Sequence, residues 1–142
     1  MRDPNPGAPE IDPNATMARA YLLMKKLGLR DLPVRLEGEI VGVISMRDVE
    51  TLVERYRRDS GELPGRLSVG EFMASPVLAL GARSDLAETV RSMLNDRVQA
   101  VVVEEDERPI GILRKGDFLR VLASLAERSP ASLRDALRLA AT

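Results

Sequence analysis

The sequence predicts an α+β fold, α/β-like in its local order, built from two β-α-β-β-α repeats packed with pseudo-twofold symmetry. Three observations lead there. First, the run Ile40-Val41-Gly42-Val43-Ile44-Ser45-Met46-Arg47-Asp48 aligns without a gap on Pro109-Ile110-Gly111-Ile112-Leu113-Arg114-Lys115-Gly116-Asp117 at an offset of 69. The same offset pairs Val34 with Val103, Met24 with Met93 and Ala18 with Ala87. It keeps apolar residues in phase from Ile11/Leu80 to Val53/Leu122, which is the signature of an internal repeat. Second, the apolar spacing within each repeat changes from helical to strand-like. Third, a chain of 142 residues leaves each half too small to bury a core alone, so the halves must pack together.

The elements follow in order. Residues 1–10 hold Pro4, Pro6 and Pro9 and are expected to be extended or disordered rather than helical. The first repeat spans residues 11–58. Its opening extended piece is Ala8 to Ile11, and Asn14 or Thr16 can cap the helix that carries Ala20, Leu23, Met24 and Leu27 at helical spacing. Two β-rich runs, Leu32 to Leu36 and Glu39 to Ile44, flank the turn Glu37-Gly38, and a helix is expected from Val49 to about Arg58. Residues 59–68 read as a linker, with turn residues in Asp59-Ser60-Gly61-Glu62-Leu63-Pro64-Gly65. The second repeat spans residues 69–127, with Leu67 to Met73 leading into it as a short helix. It repeats the plan: Val77 to Leu80 extended, Ser84 or Asp85 as cap, Leu86, Val90, Met93 and Leu94 on a helix, strands Ala100 to Val103 and Ile110 to Leu113, and a helix from Phe118 to about Glu127. In the tail, 128–142, Ser129-Pro130 reads as a cap with a first-turn proline before a short amphipathic helix bearing Leu133, Leu137 and Leu139.

Composition narrows the function. There is no Cys and no His, which removes thiol nucleophiles, disulfides, imidazole-based triads and zinc sites of the usual N/S type. Lys+Arg 21 against Asp+Glu 22 lacks the basic excess of a nucleic-acid binder. No apolar stretch approaches the roughly 18 residues of a membrane span, and the chain does not open on a secretory signal, so a cytoplasmic location is expected. Neither a nucleophile-plus-base set nor a phosphate-binding glycine loop is present, so no enzymatic activity is expected.

The chain resembles a tandem pair of CBS domains (cystathionine-β-synthase-type repeats, together a Bateman module). The residues that carry the resemblance are Gly28-Leu29-Arg30-Asp31-Leu32-Pro33-Val34 followed by Gly42-Val43-Ile44-Ser45-Met46-Arg47-Asp48. They fit the pattern G-h-x-x-h-P-V and then G-h-h-[ST]-x-x-D. The second repeat keeps Gly111, Asp117 and Val101-Val102-Val103, and departs at Arg97 for Gly, Val102 for Pro and Arg114 for Ser or Thr. Val69 to Pro76 resembles the segment that precedes a repeat in this family. No such segment is expected ahead of the first repeat.

The resemblance implies a non-catalytic regulatory module that binds an adenosine ligand (AMP, ADP, ATP, S-adenosylmethionine or a dinucleotide) in clefts between the repeats, with no cofactor and no metal. It also implies a flat homodimer and a regulated protein partner in trans. Physical chemistry suits several residues to this. Asp48 and Asp117 can accept hydrogen bonds from both ribose hydroxyls. Ser45 can donate to a phosphate oxygen, the helix start at Arg47 offers N–H groups, and Arg30 occupies a position from which the family reaches phosphate. Val43 and Ile112 can wall the adenine. Other roles remain open. Asp48 and Asp117 are equally suited to capping helices, Ser45 to bonding backbone, and Arg30 and Arg47 to solvated surface. Arg114 either binds a longer phosphate chain or blocks the second cleft. The departures in the second repeat leave a ligand-free structural or dimerisation module as the alternative.

Overall fold

The computed structural model describes residues 9–59 and 66–141. The expectations for residues 1–8 and for the linker residues 60–65 lie outside it. Eleven elements follow one another: α1 (Met17–Leu27), β1 (Asp31–Leu36), β2 (Glu39–Ser45), α2 (Met46–Asp59), α3 (Val69–Phe72), β3 (Val77–Gly81), α4 (Leu86–Asp96), β4 (Ala100–Glu105), β5 (Arg108–Arg114), α5 (Lys115–Arg128) and α6 (Leu133–Ala140). The bounds of α1, β1, β2 and α2 recur in α4, β4, β5 and α5 at the offset of 69.

Local chemistry recurs with them. Thr16 and Asp85 cap α1 and α4, their side chains accepting from the amides of Arg19 and Glu88 at 3.1 and 2.9 Å. Gly28 and Arg97 end those helices in the left-handed region, at φ 66° and 54°. Glu37-Gly38 and Asp106-Glu107 form the hairpin turns with φ positive at both residues. The pairs β1–β2 and β4–β5 are antiparallel, with a register shift after Val34 and, equivalently, after Val103. In the second repeat β3 adds a parallel strand to β4. In the first, the described part of the opening piece forms a bridge from Ile11 to Val34, at the register that pairs Leu80 with Val103.

Five boundaries differ from expectation. The helices α2 and α5 start three residues earlier than Val49 and Phe118, so Asp48 and Asp117 lie inside the first turn. Asp59 belongs to α2, not to a linker. The helix α6 is capped by Ser132, which forms a capping box with Asp135, while Ser129-Pro130 precede it. Leu67 and Ser68 belong to the fold rather than to the linker. The Met17 amide donates to the Leu67 carbonyl at 2.8 Å, and the Val69 amide donates to Ala15 at 2.8 Å.

That last contact explains the core. Val69 is fully buried among Ile11, Met17, Ala20, Met24, Leu32, Val34, Ile44, Val49 and Val53. The segment that leads into the second repeat therefore closes the hydrophobic core of the first. Gly42 lets it approach: a Cβ there would sit 2.5 Å from the Met73 sulfur and 3.0 Å from the Ala74 carbonyl oxygen. Val43 and Ala74 exchange backbone hydrogen bonds at the same place. A second cluster, Val43, Ala100 and Val102 with Ile112 against them, joins the repeats. Arg35 donates to Glu104 at 3.3 Å and to Glu10 at 2.7 and 2.9 Å. Arg35 and Glu104 hold equivalent positions, as do Val43 and Ile112. Residues that meet their own counterparts lie close to the pseudo-twofold axis.

Candidate functional site

The strand-to-helix junction at Ser45 is built by two bonds. The Met46 amide donates to the Arg30 carbonyl at 2.7 Å, and the Ser45 hydroxyl accepts from the Asp48 amide at 3.2 Å. The second bond makes Ser45 the cap of α2, a role that leaves its hydroxyl proton available. It also fixes the start of α2 beside Arg30, so that residues distant in sequence converge. A cavity of about 500 Å³ is lined by Arg30, Asp31, Ser45, Arg47, Asp48 and Arg114, together with Met46 and Glu50. An apolar crease of about 250 Å³, with Leu29, Pro33, Ile110 and Ile112 among its walls, adjoins it, because Arg30 and Asp31 line both.

The structure thus brings together Arg30, Ser45, Arg47, Asp48 and Arg114, with Ile112 in the neighbouring crease. Two expected residues stand elsewhere. Val43 is 1% exposed, packed into the cluster between the repeats, and cannot serve as a wall. Asp117 is absent from the lining of both cavities. Its carboxylate folds back to accept from the Arg114 amide at 2.8 Å and pairs with Arg120 at 3.0 Å. Arg114 is a donor only, so the reciprocal half of a capping box cannot form. Asp48, at the equivalent position, keeps an exposed carboxylate with no hydrogen-bond or ion-pair partner among the described residues.

Asp31 is the functional candidate that sequence reasoning passed over. It accepts from Arg114 Nη2 at 2.5 Å, and both side chains are about two-thirds buried. The bond reaches from β5 to β1 and so from one repeat to the other. Its signal in the sequence was the pair of departures itself: an Arg where Ser45 stands in the first repeat, and an Asp where Ala100 stands in the second.

Electrostatically the larger cavity is mixed, with Arg30, Arg47 and Arg114 facing Asp31, Asp48 and Glu50. Glu50 turns to Lys25 at 3.6 Å, in an exposed pair worth little. Arg30 and Arg47 have no carboxylate within ion-pair distance among the described residues. Such a site can take a ligand that is anionic at one end and offers hydroxyls to Asp48. No group of three metal-ligating side chains occurs among the described residues, and no helix there is long and apolar enough to cross a membrane.

The family model of the CBS domain matches residues 2–54 and 69–124, one match for each repeat. The CBS domain-containing protein YhcV of Bacillus subtilis is 23% identical over 108 residues, covering 76% of this chain and 74% of that protein. Among solved structures, the CBS domain of a CBS domain-containing membrane protein from Sphaerobacter thermophilus aligns with a TM-score of 0.55. It is 18% identical over 80% of this chain and 81% of its own. A hemolysin-like protein containing a CBS domain, from Oenococcus oeni, aligns with a TM-score of 0.53 at 18% identity over 78% of each chain. At that identity the structural likeness speaks for the fold, and the two family matches coincide with the two repeats. The chain belongs to the CBS-domain family, as a tandem pair.

Proposed function

We propose that this protein is a non-catalytic regulatory module that binds an adenine nucleotide in the cleft at Asp48. The observation that carries the reading is the unpartnered Asp48 carboxylate, set beside Arg30, Ser45, Arg47 and Arg114 in a cavity that adjoins an apolar crease. In this reading the base enters the crease against Leu29, Ile110 and Ile112. The ribose hydroxyls bond Asp48, and phosphate oxygens meet Arg30, Ser45 and the amides at the start of α2. The cleft at Asp117 stays empty, because that carboxylate is already committed. Calorimetric titration with adenosine, AMP, ADP, ATP and S-adenosylmethionine tests the proposal. Binding of one or more is expected, with Asp48→Ala weakening it by about 1.5–3 kcal/mol. No binding by any of them at millimolar concentration rejects it.

The module's output is an assembly. A second copy is the expected partner, with a regulated protein bound in trans, in the cytoplasm. In α2 the apolar residues Val49 and Val53 are buried in the core of the first repeat. The helices α5 and α6 bury no residue, and Leu119, Leu122, Leu125, Leu133 and Leu137 are 50% to 86% exposed. Together these side chains leave on the order of several hundred Å² of apolar surface in water, the size of the largest patch on a typical monomer and a large part of one side of a standard dimer. A helix of eight residues is also unstable without packing. These leucines favour the ligand-free dimerisation module as the second reading, and it takes over if the titrations fail.

A further inference from the structure

One cation of the cleft is already spoken for. Arg114 lies against Asp31, while Arg30 and Arg47 are free of carboxylate partners among the described residues. The bond exists at one of two pseudo-equivalent places only. The counterparts of Arg114 and Asp31 are Ser45 and Ala100, which cannot form an ion pair. Asp31 also stands on the boundary between the polar cavity and the apolar crease, lining both.

We propose that Asp31 is a built-in competitor for the anionic end of the ligand: by holding Arg114 it restrains the cleft's affinity for a pyrophosphate group. This rests on the reading of the cleft as a phosphate site and names the residue that regulates it. The guanidinium of Arg114 presents a planar fork that suits a carboxylate or a phosphate, but one of its faces cannot serve both. In the empty cleft Asp31 holds it. A single phosphate can satisfy Arg30 and Arg47 without displacing Asp31. A second, linked phosphate brings enough charge to take Arg114 as well, and the displaced carboxylate then lies beside the ligand's own negative charge. Two consequences follow. The affinity that a second phosphate gains from Arg114 is reduced by the displacement of Asp31, and occupation breaks the bond that ties β5 of the second repeat to β1 of the first.

The test titrates inorganic pyrophosphate and orthophosphate into the full chain and three variants, with adenosine and AMP as separate arms and a urea curve for each variant. Asp31→Asn should bind pyrophosphate about tenfold more tightly, equivalent to 1.4 kcal/mol, and change orthophosphate little. Arg114→Ser should lose the preference for pyrophosphate over orthophosphate. Adding Asp31→Asn to Arg114→Ser should then change nothing. If either Arg114 variant fails to fold, Arg114→Lys replaces it. This variant keeps the charge without the fork and should lose most of the preference. Equal pyrophosphate affinity in the wild type and Asp31→Asn overturns the proposal, as does no pyrophosphate binding by either at millimolar concentration. Adenosine or AMP binding, beside pyrophosphate binding that is indifferent to all variants, would keep the nucleotide reading and sink the role of Asp31. Pyrophosphate binding as expected, with adenosine unbound, would do the reverse.

Discussion

Met17 and Leu86 hold the same place in the two repeats, on the first turn of α1 and of α4, yet Met17 is fully buried and Leu86 is 44% exposed. Val53 and Leu122 repeat the contrast on the following helices, at 3% and 59%. Element bounds do not separate the members of each pair, since they coincide at the offset of 69, but α1 packs on α2 whereas α4 and α5 scarcely meet. The cover adds to that difference. Leu67 to Met73 lie over the helices of the first repeat, and no described segment lies over those of the second. Identical secondary structure therefore yields a closed core in one half and an open helical face in the other.

The largest test of that contrast is truncation at the matched pair. Met17→Ala should cost about 2–5 kcal/mol, the range for emptying a packed site. Leu86→Ala should cost under about 1 kcal/mol, because much of its side chain is already in water. Urea denaturation of both variants measures the difference, and equal losses would refute the asymmetry. Next in size is the glycine pair. Gly42→Ala pushes a methyl into Met73 and into the Ala74 backbone and should cost about 1–3 kcal/mol. A Cβ at Gly111 meets nothing within 4 Å, so Gly111→Ala should change stability by less than about 0.5 kcal/mol.

The two aspartates should exchange their effects. Asp117→Ala removes a cap and should cost about 1 kcal/mol of stability while leaving nucleotide affinity unchanged. Asp48→Ala should cost about 0.5 kcal/mol or less, since its only local role is a charge near a helix start, and it should weaken binding. A denaturation curve beside a titration of each variant reads both.

The smallest effect is an acid one. The Ser68 amide, and then its hydroxyl, donate to Glu71 and hold its carboxyl below the usual carboxylate range. A carboxyl depressed in the folded state contributes stability above its ordinary value of 4.5, and that stability is lost as pH falls through the lower folded value. The same arrangement, Ser132 with Asp135, lowers the Asp135 carboxyl on α6. Glu71→Gln should flatten the acid side of the melting-temperature profile, because the segment it stiffens covers the core. Asp135→Asn should flatten it less, because α6 buries no residue and can fray without opening the core.

How much of this the sequence revealed depended on the range of the interaction. The repeat, its strands and its hairpins were legible, because apolar phase and turn residues are local and occur twice. Arg97 was legible only as a departure from Gly; the structure shows it taking the left-handed position all the same. Three features were not legible. The cover of one repeat by the other's leading segment is a long-range contact with no periodic trace. The burial of Val43 follows from its place near the pseudo-axis, which its spacing after Gly42 does not reveal. The commitment of Asp117 against the freedom of Asp48 depends on which way one carboxylate turns, and both choices satisfy the same sequence pattern.

Val69 completes the core of a unit to which, by sequence, it does not belong. A lone repeat of this design would have to obtain that plug from a separate molecule, and its folding would depend on concentration. Joining two copies in one polypeptide converts the encounter into an intramolecular closure, at an effective concentration that reaches the millimolar range for short flexible connections. Dilution should then leave the first repeat closed, and the duplicated chain is stable where its half would come apart.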